Sequence, residues 1–226
     1  MSVIATQSET VARRSFPTAP PATPLTVDEF LALCERPEYA DKRLELDEGR
    51  LIVMPPAGDA HGTQCWLIIR LLTRYIEATG IGRLSTNDPG LLLSRDPDTV
   101  RAPDLAYYRE SVPLEEISPG LPKRLPELVV EVLSPSDRVG AVLRKVQQYL
   151  RAGIAMVWVV DGESRNVAVY RPGREVRVLE ENEVLEGEDV LPGFASVVGE
   201  LFRLPGVVSG SGEGSQAAEA AEGGKR

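Results

Sequence analysis

Two acidic residues lie in segments where charged side chains are costly to bury. Glu131 interrupts the otherwise apolar run 128–133, and Asp104 begins the short segment 104–108, which is apolar after its first residue. A carboxylate inside an apolar strand needs a partner. Glu131 could face solvent at a sheet edge or pair with an arginine, and Asp104 could be an ordinary strand-start residue. The alternative is a carboxylate on a rigid strand that binds metal or transfers a proton.

Asp104 and Glu131 could belong to one site if their strands were neighbours. Two such carboxylates can converge on one cation, and Mg²⁺ prefers one or two carboxylates with water and substrate phosphate completing its shell. Mn²⁺ is an alternative ion. Lys145 follows in the helix predicted after the Glu131 strand, where its ammonium could stabilise charge or orient a water nucleophile. Lys145 could equally be an ordinary exposed helix cation.

Several short segments follow one another in an order that resembles a known family. They are 43–51 (RLELDEGRL), 54–56 (MPP) with His61, 100–106 (VRAPDLA), 130–136 (VEVLSPS), 145–149 (KVQQY), 152–154 (AGI), 158–161 (WVVD) and 191–194 (LPGF). Together they resemble the Uma-type restriction endonucleases, a branch of the PD-(D/E)XK nuclease superfamily. The resemblance covers about residues 25–204.

The resemblance implies an α/β fold with a restriction-endonuclease-like mixed central sheet flanked by helices. It implies that Asp104 and Glu131 are the paired acids, and that DNA is the substrate of a homodimer. The simple superfamily pattern has a lysine at the position of Leu133, whereas the Uma-type pattern has it in the next helix, where Lys145 matches. Glu45 resembles an early glutamate of the family, a third catalytic and metal-binding carboxylate, although it could be an outward-facing hairpin residue.

His61 is the only histidine of the chain. Its ordinary pKa of about 6.5 would suit proton transfer in catalysis. It also stands just before a predicted helix, where it could merely cap the turn. Tyr149, four residues after Lys145, is expected to pack beside the site or to support it.

Composition sets limits on function. The chain has 226 residues and a formal net charge of -9. Residues 1–24 carry +1 and residues 205–226 carry -1, so the acidity belongs to the part between them. An acidic domain does not bind nucleic acid tightly through its overall charge, so DNA binding would need a local basic patch or a bridging cation.

Neither a membrane anchor nor a disulfide framework is expected. No apolar stretch approaches the about 18 to 20 residues of a membrane span, and the N-terminus has no apolar signal core, which favours a cytoplasmic location. Cys34 and Cys65 are expected to be small buried residues without metal-ligand partners at a suitable spacing.

Periodicity predicts one domain over 25–204, with disordered segments at 1–24 and 205–226. A capping box formed by Thr26 and Glu29 predicts the first helix. The other predicted elements are a hairpin at 44–46 and 51–54, helices at 62–78 and 139–152, and strands at 82–85, 91–94, 104–108, 127–133, 156–160, 167–170 and 175–179. The unit 127–160 is expected to be a parallel strand–helix–strand crossover.

Three functions compete on this evidence. The first is a Mg²⁺-dependent DNA endonuclease that uses a water nucleophile. The second is a catalytically inactive nuclease-fold module that binds nucleic acid or protein, which the acidic charge and Leu133 favour. The third is a different hydrolase that uses Glu45, Asp104 or Glu131 as an acid–base pair, for instance on a glycoside. The chain has only 5% aromatic residues to stack against sugars, which argues against it.

Overall fold

The computed structural model describes residues 23–206. The disordered segments predicted at 1–24 and 205–226 lie outside this range apart from two residues at each inner end. The helices are α1 (Val27–Cys34), α2 (Asp59–Thr79) and α3 (Val139–Ala152). The strands are β1 (Arg43–Asp47), β2 (Arg50–Met54), β3 (Arg83–Thr86), β4 (Leu91–Ser94), β5 (Thr99–Arg101), β6 (Leu105–Tyr108), β7 (Leu128–Val132), β8 (Met156–Asp161), β9 (Asn166–Tyr170), β10 (Arg177–Leu179), β11 (Val184–Glu186) and β12 (Ala195–Val197).

A mixed six-stranded sheet forms the centre, in the order β10-β9-β8-β7-β6-β3. Strands β7 and β8 are parallel and joined through α3, as predicted, and the other neighbours are antiparallel. The expected mixed α/β class is therefore confirmed. A second, antiparallel sheet of order β2-β1-β5-β4 was not anticipated, nor was the small β11-β12 pair.

The elements stack in layers because each helix buries an apolar face against a sheet. Helix α2 packs on one face of the central sheet, where Ile68 and Leu72 join the β7 residues Val130 and Val132. Helix α3 packs on the opposite face, where Val146 joins the alternate residues of β7 and β8. The second sheet lies beyond α3, and α1 covers its outer side. Helix α3 is therefore held between two sheets.

Strand alternation sends polar side chains of the second sheet towards α3. In β1, Leu46 packs under α1, so Arg43, Glu45 and Asp47 point the other way. In β5, Val100 packs with Leu46. A row of charged residues therefore lies between this sheet and α3.

Helix capping agrees with the sequence patterns. The Thr26–Glu29 capping box is present, and Gly80 and Gly153 end α2 and α3 in the left-handed conformation. In the β1–β2 turn, Glu48 and Gly49 both have positive φ, as a two-residue hairpin turn requires. Among the described helices, none combines the length and apolarity needed to cross a bilayer.

Candidate active site

Asp104 and Glu131 face each other across two paired strands. Strand β6 pairs with β7 so that Leu105 lies opposite Val130, and one further step of this register brings Asp104 opposite Glu131. Directly opposed residues of an antiparallel pair point to the same face. That face is covered by α3, and both carboxylates are buried, with exposed fractions of 7% and 8%.

Glu131 is bound by two side chains of α3. The Tyr149 hydroxyl donates to Oε1 at 2.6 Å, and the Lys145 ammonium lies 3.5 and 3.4 Å from the two carboxylate oxygens. Burial raises the pKa of Glu131 to about 7; the Lys145 charge opposes this rise, while the neighbouring Asp104 carboxylate adds to it. An additional positive charge near Glu131 would therefore stabilise its ionised form.

Asp104 is fixed through both of its oxygens. Oδ2 accepts the Val132 backbone N–H at 2.7 Å, and Oδ1 lies 3.3 Å from both His61 Nε2 and Arg43 Nη2. Burial alone would raise the pKa of Asp104, but the hydrogen bonds from His61 and Val132 and the charge of Arg43 hold it below its ordinary value. Arg43 also pairs with Asp88 at 2.5 Å.

Lys145 bridges the two sheets. Its ammonium lies 3.0 Å from Glu45 Oε1 as well as close to Glu131. Burial lowers the pKa of Lys145, but the two carboxylates outweigh it and leave the pKa above its ordinary value. The lysine is therefore charged at neutral pH.

Glu45 is almost fully buried, and each of its oxygens already accepts hydrogen bonds. Oε1 also accepts the Ala102 backbone N–H at 3.2 Å, and Oε2 accepts Arg101 at 2.8 Å. Arg101 binds Asp47 at 2.8 Å and Gln148 at 2.8 Å. This network holds β1, β5 and α3 together behind the two central carboxylates.

His61 lies inside α2 rather than before it, because the helix begins at Asp59. The expectation that it caps a preceding turn is therefore wrong. Its hydrogen bond to Asp104, with a second contact to Cys65, raises the pKa of His61 to about 10 despite burial. His61 therefore donates from Nε2 to Asp104, because an ionised carboxylate only accepts hydrogen bonds.

The two cysteines differ from expectation. Cys34 and Cys65 are half-buried rather than fully buried. Cys65 Sγ lies 3.7 Å from His61 Nδ1, one helical turn away. Donor atoms of His61, Cys65 and Asp104 all lie within 4.8 Å of one another. The four-residue spacing on a helix was the signal that could have revealed this contact.

Four of the five predicted site residues line one cavity of about 290 Å³: Asp104, Glu131, Lys145 and His61. Its walls are the segment 54–58 after β2, the turn 134–137 after β7, and Arg43. Glu45 does not line the cavity and lies behind Lys145. No role was predicted for Arg43, Asp88 or Arg101 from the sequence. An arginine between Val100 and Ala102 nevertheless stands out by the same reasoning that singled out Glu131.

The donors in this cavity fit a hard divalent cation. Asp104 and Glu131 supply carboxylate oxygens from two paired strands, which is the chemistry that Mg²⁺ and Mn²⁺ favour. The nitrogen, sulfur and oxygen of His61, Cys65 and Asp104 are a softer set, closer to the preference of Zn²⁺. Both sets include Asp104.

The mixed central sheet flanked by helices is the restriction-endonuclease-like fold expected from the sequence. The sequence model of the Uma2 family, described as "Putative restriction endonuclease", matches residues 27–201, and the chain belongs to this family. The family resemblance predicted from the sequence is therefore confirmed. A search of curated proteins finds no match.

A solved structure shares the fold. It is described as a putative nuclease belonging to DUF820 from Anabaena variabilis ATCC 29413. The TM-score is 0.68 at 22% sequence identity, over 79% of this chain and 98% of the other. At this identity the similarity concerns the fold.

Proposed function

We propose that this protein is a metal-dependent endonuclease that hydrolyses phosphodiester bonds in DNA, with Mg²⁺ or Mn²⁺ held by Asp104 and Glu131. The observation that carries the proposal is the opposition of these two carboxylates in one cavity, with Lys145 beside them. Family membership supports the nuclease class, and the oxygen donors support a hard cation.

Asp104 and Glu131 would bind the ion, and the other residues of the cavity orient them. A divalent ion there would neutralise charge on the scissile phosphate and lower the pKa of a bound water. The Val132 amide and His61 hold Asp104 in one orientation. Tyr149 holds Glu131, and its hydroxyl stays protonated because burial raises its pKa well above the ordinary value.

Lys145 supplies positive charge for the phosphate or orients the attacking water. Its contact with Glu45 at 3.0 Å fixes the ammonium at the inner wall of the cavity. Glu45 acts on the site by positioning Lys145. Arg101, Lys145 and Ala102 already bind its oxygens. Its role as a third metal ligand stays a prediction. His61 acts as a hydrogen-bond donor to Asp104.

Cleavage of supercoiled plasmid and of single-stranded DNA, with Mg²⁺, with Mn²⁺ and with EDTA, tests the proposal. We expect metal-dependent cleavage that Glu131→Gln and Asp104→Asn each reduce at least about a hundredfold. Glu186→Gln, an exposed carboxylate on β11, is the matched control and should keep full activity. Cleavage that survives EDTA, or that both site variants retain, would overturn the mechanism.

The inactive-module alternative gives a different result in the same assay. In that case the wild-type protein would leave both DNA substrates intact with either metal. The assay is also run with Zn²⁺, because His61, Cys65 and Asp104 together form a softer set of donors than the two carboxylates. Inhibition of Mg²⁺-dependent cleavage by Zn²⁺ that Cys65→Ser relieves would show that the softer set competes for Asp104.

A further inference from the structure

A second cavity, of about 430 Å³, lies along β3 at the edge of the central sheet, and we call it the edge cavity. Strand β3 and the segment that follows it form one wall, and the 116–125 segment forms the other. Its polar side chains include Arg83, Ser85, Thr86, Ser118, Lys123 and Arg124. A volume of this size accommodates a nucleotide unit.

Arg83 is held in this cavity without an acceptor. Its guanidinium stacks on the Tyr108 ring, 3.9 Å from the centroid. Its Nε is buried and, within residues 23–206, has no hydrogen-bond partner, and the guanidinium forms no ion pair there. A buried donor without a partner is costly. A stacked guanidinium presents its edge donors in the geometry that suits an oxyanion.

The edge cavity is lined by three acidic side chains as well as three basic ones. Glu110 is paired with Arg124, and Glu127 accepts the Arg109 backbone N–H at 2.8 Å. Lys123 is exposed and, like Arg83, has no ion-pair partner among the described residues. Within the described residues, Arg83 and Lys123 are therefore the cations of the cavity without an ion-pair partner, beside two carboxylates that also lack one, Glu116 and Glu127.

The edge cavity and the candidate active site are separated by one loop. Thr86 and Pro89 line the edge cavity. Asp88, between them in sequence, pairs with Arg43, which contacts Asp104 in the candidate active site. The Asp88–Arg43 pair therefore links the loop beside the edge cavity to the candidate active site.

We propose that Arg83, together with Lys123, binds a phosphate of the DNA strand away from the scissile bond. The ligand assignment rests on the proposed function. Inorganic phosphate has the same chemistry, so the experiment separates the two sources.

Fluorescence anisotropy with a labelled single-stranded oligonucleotide and its duplex, measured in Ca²⁺ over a range of salt concentrations, tests this site. Arg83→Met keeps an unbranched apolar side chain beside the Tyr108 ring and removes the guanidinium that stacks on it. We expect about a tenfold weaker affinity and a salt slope smaller by about one phosphate contact. Arg177→Gln, on β10 at the opposite edge of the sheet, is the matched control and should leave both quantities unchanged.

Lys123→Gln provides a second variant that does not touch Tyr108, so it decides the question if Arg83→Met does not fold. A smaller salt slope for Lys123→Gln supports the site. Wild-type affinity and slope in both variants overturn it. If inorganic phosphate raises the melting temperature of the wild type but not of Arg83→Met, while oligonucleotide affinity is equal, the site takes free phosphate and the DNA assignment is wrong.

The outcomes also separate this inference from the proposed function. Arg83-dependent DNA binding by a protein that cleaves nothing would keep the phosphate site and reject the nuclease. Metal-dependent cleavage with unchanged binding in both variants would keep the nuclease and reject the phosphate site.

Discussion

Glu131 combines deep burial with a charge that Lys145 and Tyr149 only partly offset. Its folded pKa of about 7 lies above the ordinary 4.5, so the protonated form is favoured in the folded protein. Ionisation of Glu131 therefore lowers the free energy of unfolding as pH rises from about 4.5 to about 7. Glu131→Gln removes this penalty without removing the side chain.

We expect Glu131→Gln to be more stable than the wild type above pH 7, by about 2–3 kcal/mol in the absence of metal. The difference should shrink to nothing below about pH 4.5. Urea unfolding across this pH range measures it. A pH-independent difference between the two proteins would contradict the pKa assigned to Glu131.

Lys145→Ala should separate metal binding from chemistry. The carboxylates of Asp104 and Glu131 remain, so the metal-induced rise in melting temperature should persist. The cleavage rate should fall by about 10²–10³, because a positive charge near the phosphate is lost. Lys42→Ala, an exposed lysine outside the site, is the control. Loss of metal stabilisation in Lys145→Ala would assign the lysine a structural role instead.

At the residue scale, sequence reasoning found the side chains that stand out in apolar strands. Glu131, Asp104 and Lys145 do lie in one cavity. The position of His61 was wrong because α2 begins after Gly58, whose missing side chain gives no capping signal. The orientation of Glu45 depends on a contact with Lys145 on a distant helix, so no local pattern reveals it.

At the scale of elements, Arg101 is the main link between the second sheet and α3. Its side chain is 5% exposed and binds Glu45, Asp47 and Gln148. Arg101→Met would leave two carboxylates with fewer partners, so we expect a loss of about 3 kcal/mol in the free energy of unfolding. Arg36→Met, an exposed arginine, should change it by less than about 0.5 kcal/mol.

A double-mutant cycle with Asp47→Asn checks the cause. The two substitutions should be less costly together than the sum of their separate effects, because the neutral amide no longer needs the arginine. Additive effects would show that the contact between Arg101 and Asp47 does not contribute to the loss.

Long elements with clear periodicity were predictable, and short ones were not. The predicted bounds of α3 agree with the structure, because its apolar face and Gly153 both lie within local sequence. Strands β5, β11 and β12 have three residues each, too few to show alternation. The second sheet escaped prediction because Leu46 pairs with Val100, and no local signal indicates a partner that distant.

At the scale of the whole molecule, metal binding should stabilise the fold. An ion that binds only the folded state at about 100 times its dissociation constant adds about 2.7 kcal/mol. For a chain of this size we expect the melting temperature to rise by about 5–10 °C with Mg²⁺ or Mn²⁺. Calorimetry of the wild type and Asp104→Asn measures this, and an equal rise in both would place the ion elsewhere.

Homodimerisation stays a prediction from the family resemblance and from the frequency of two-fold symmetry in soluble oligomers. Sedimentation equilibrium at micromolar concentration measures it directly. A single species at the monomer mass of 24.6 kDa would contradict it.

The position of α3 between two sheets affects how the protein is made on the ribosome. Glu45 precedes its partner Lys145 by 100 residues, and β7 gains its parallel neighbour β8 only after α3 has been synthesised. A nascent chain that ends before α3 holds both central carboxylates but lacks the ammonium and the helix that enclose them. The proposed nuclease therefore has no complete site until most of the domain has been translated, and shortened translation products lack its activity.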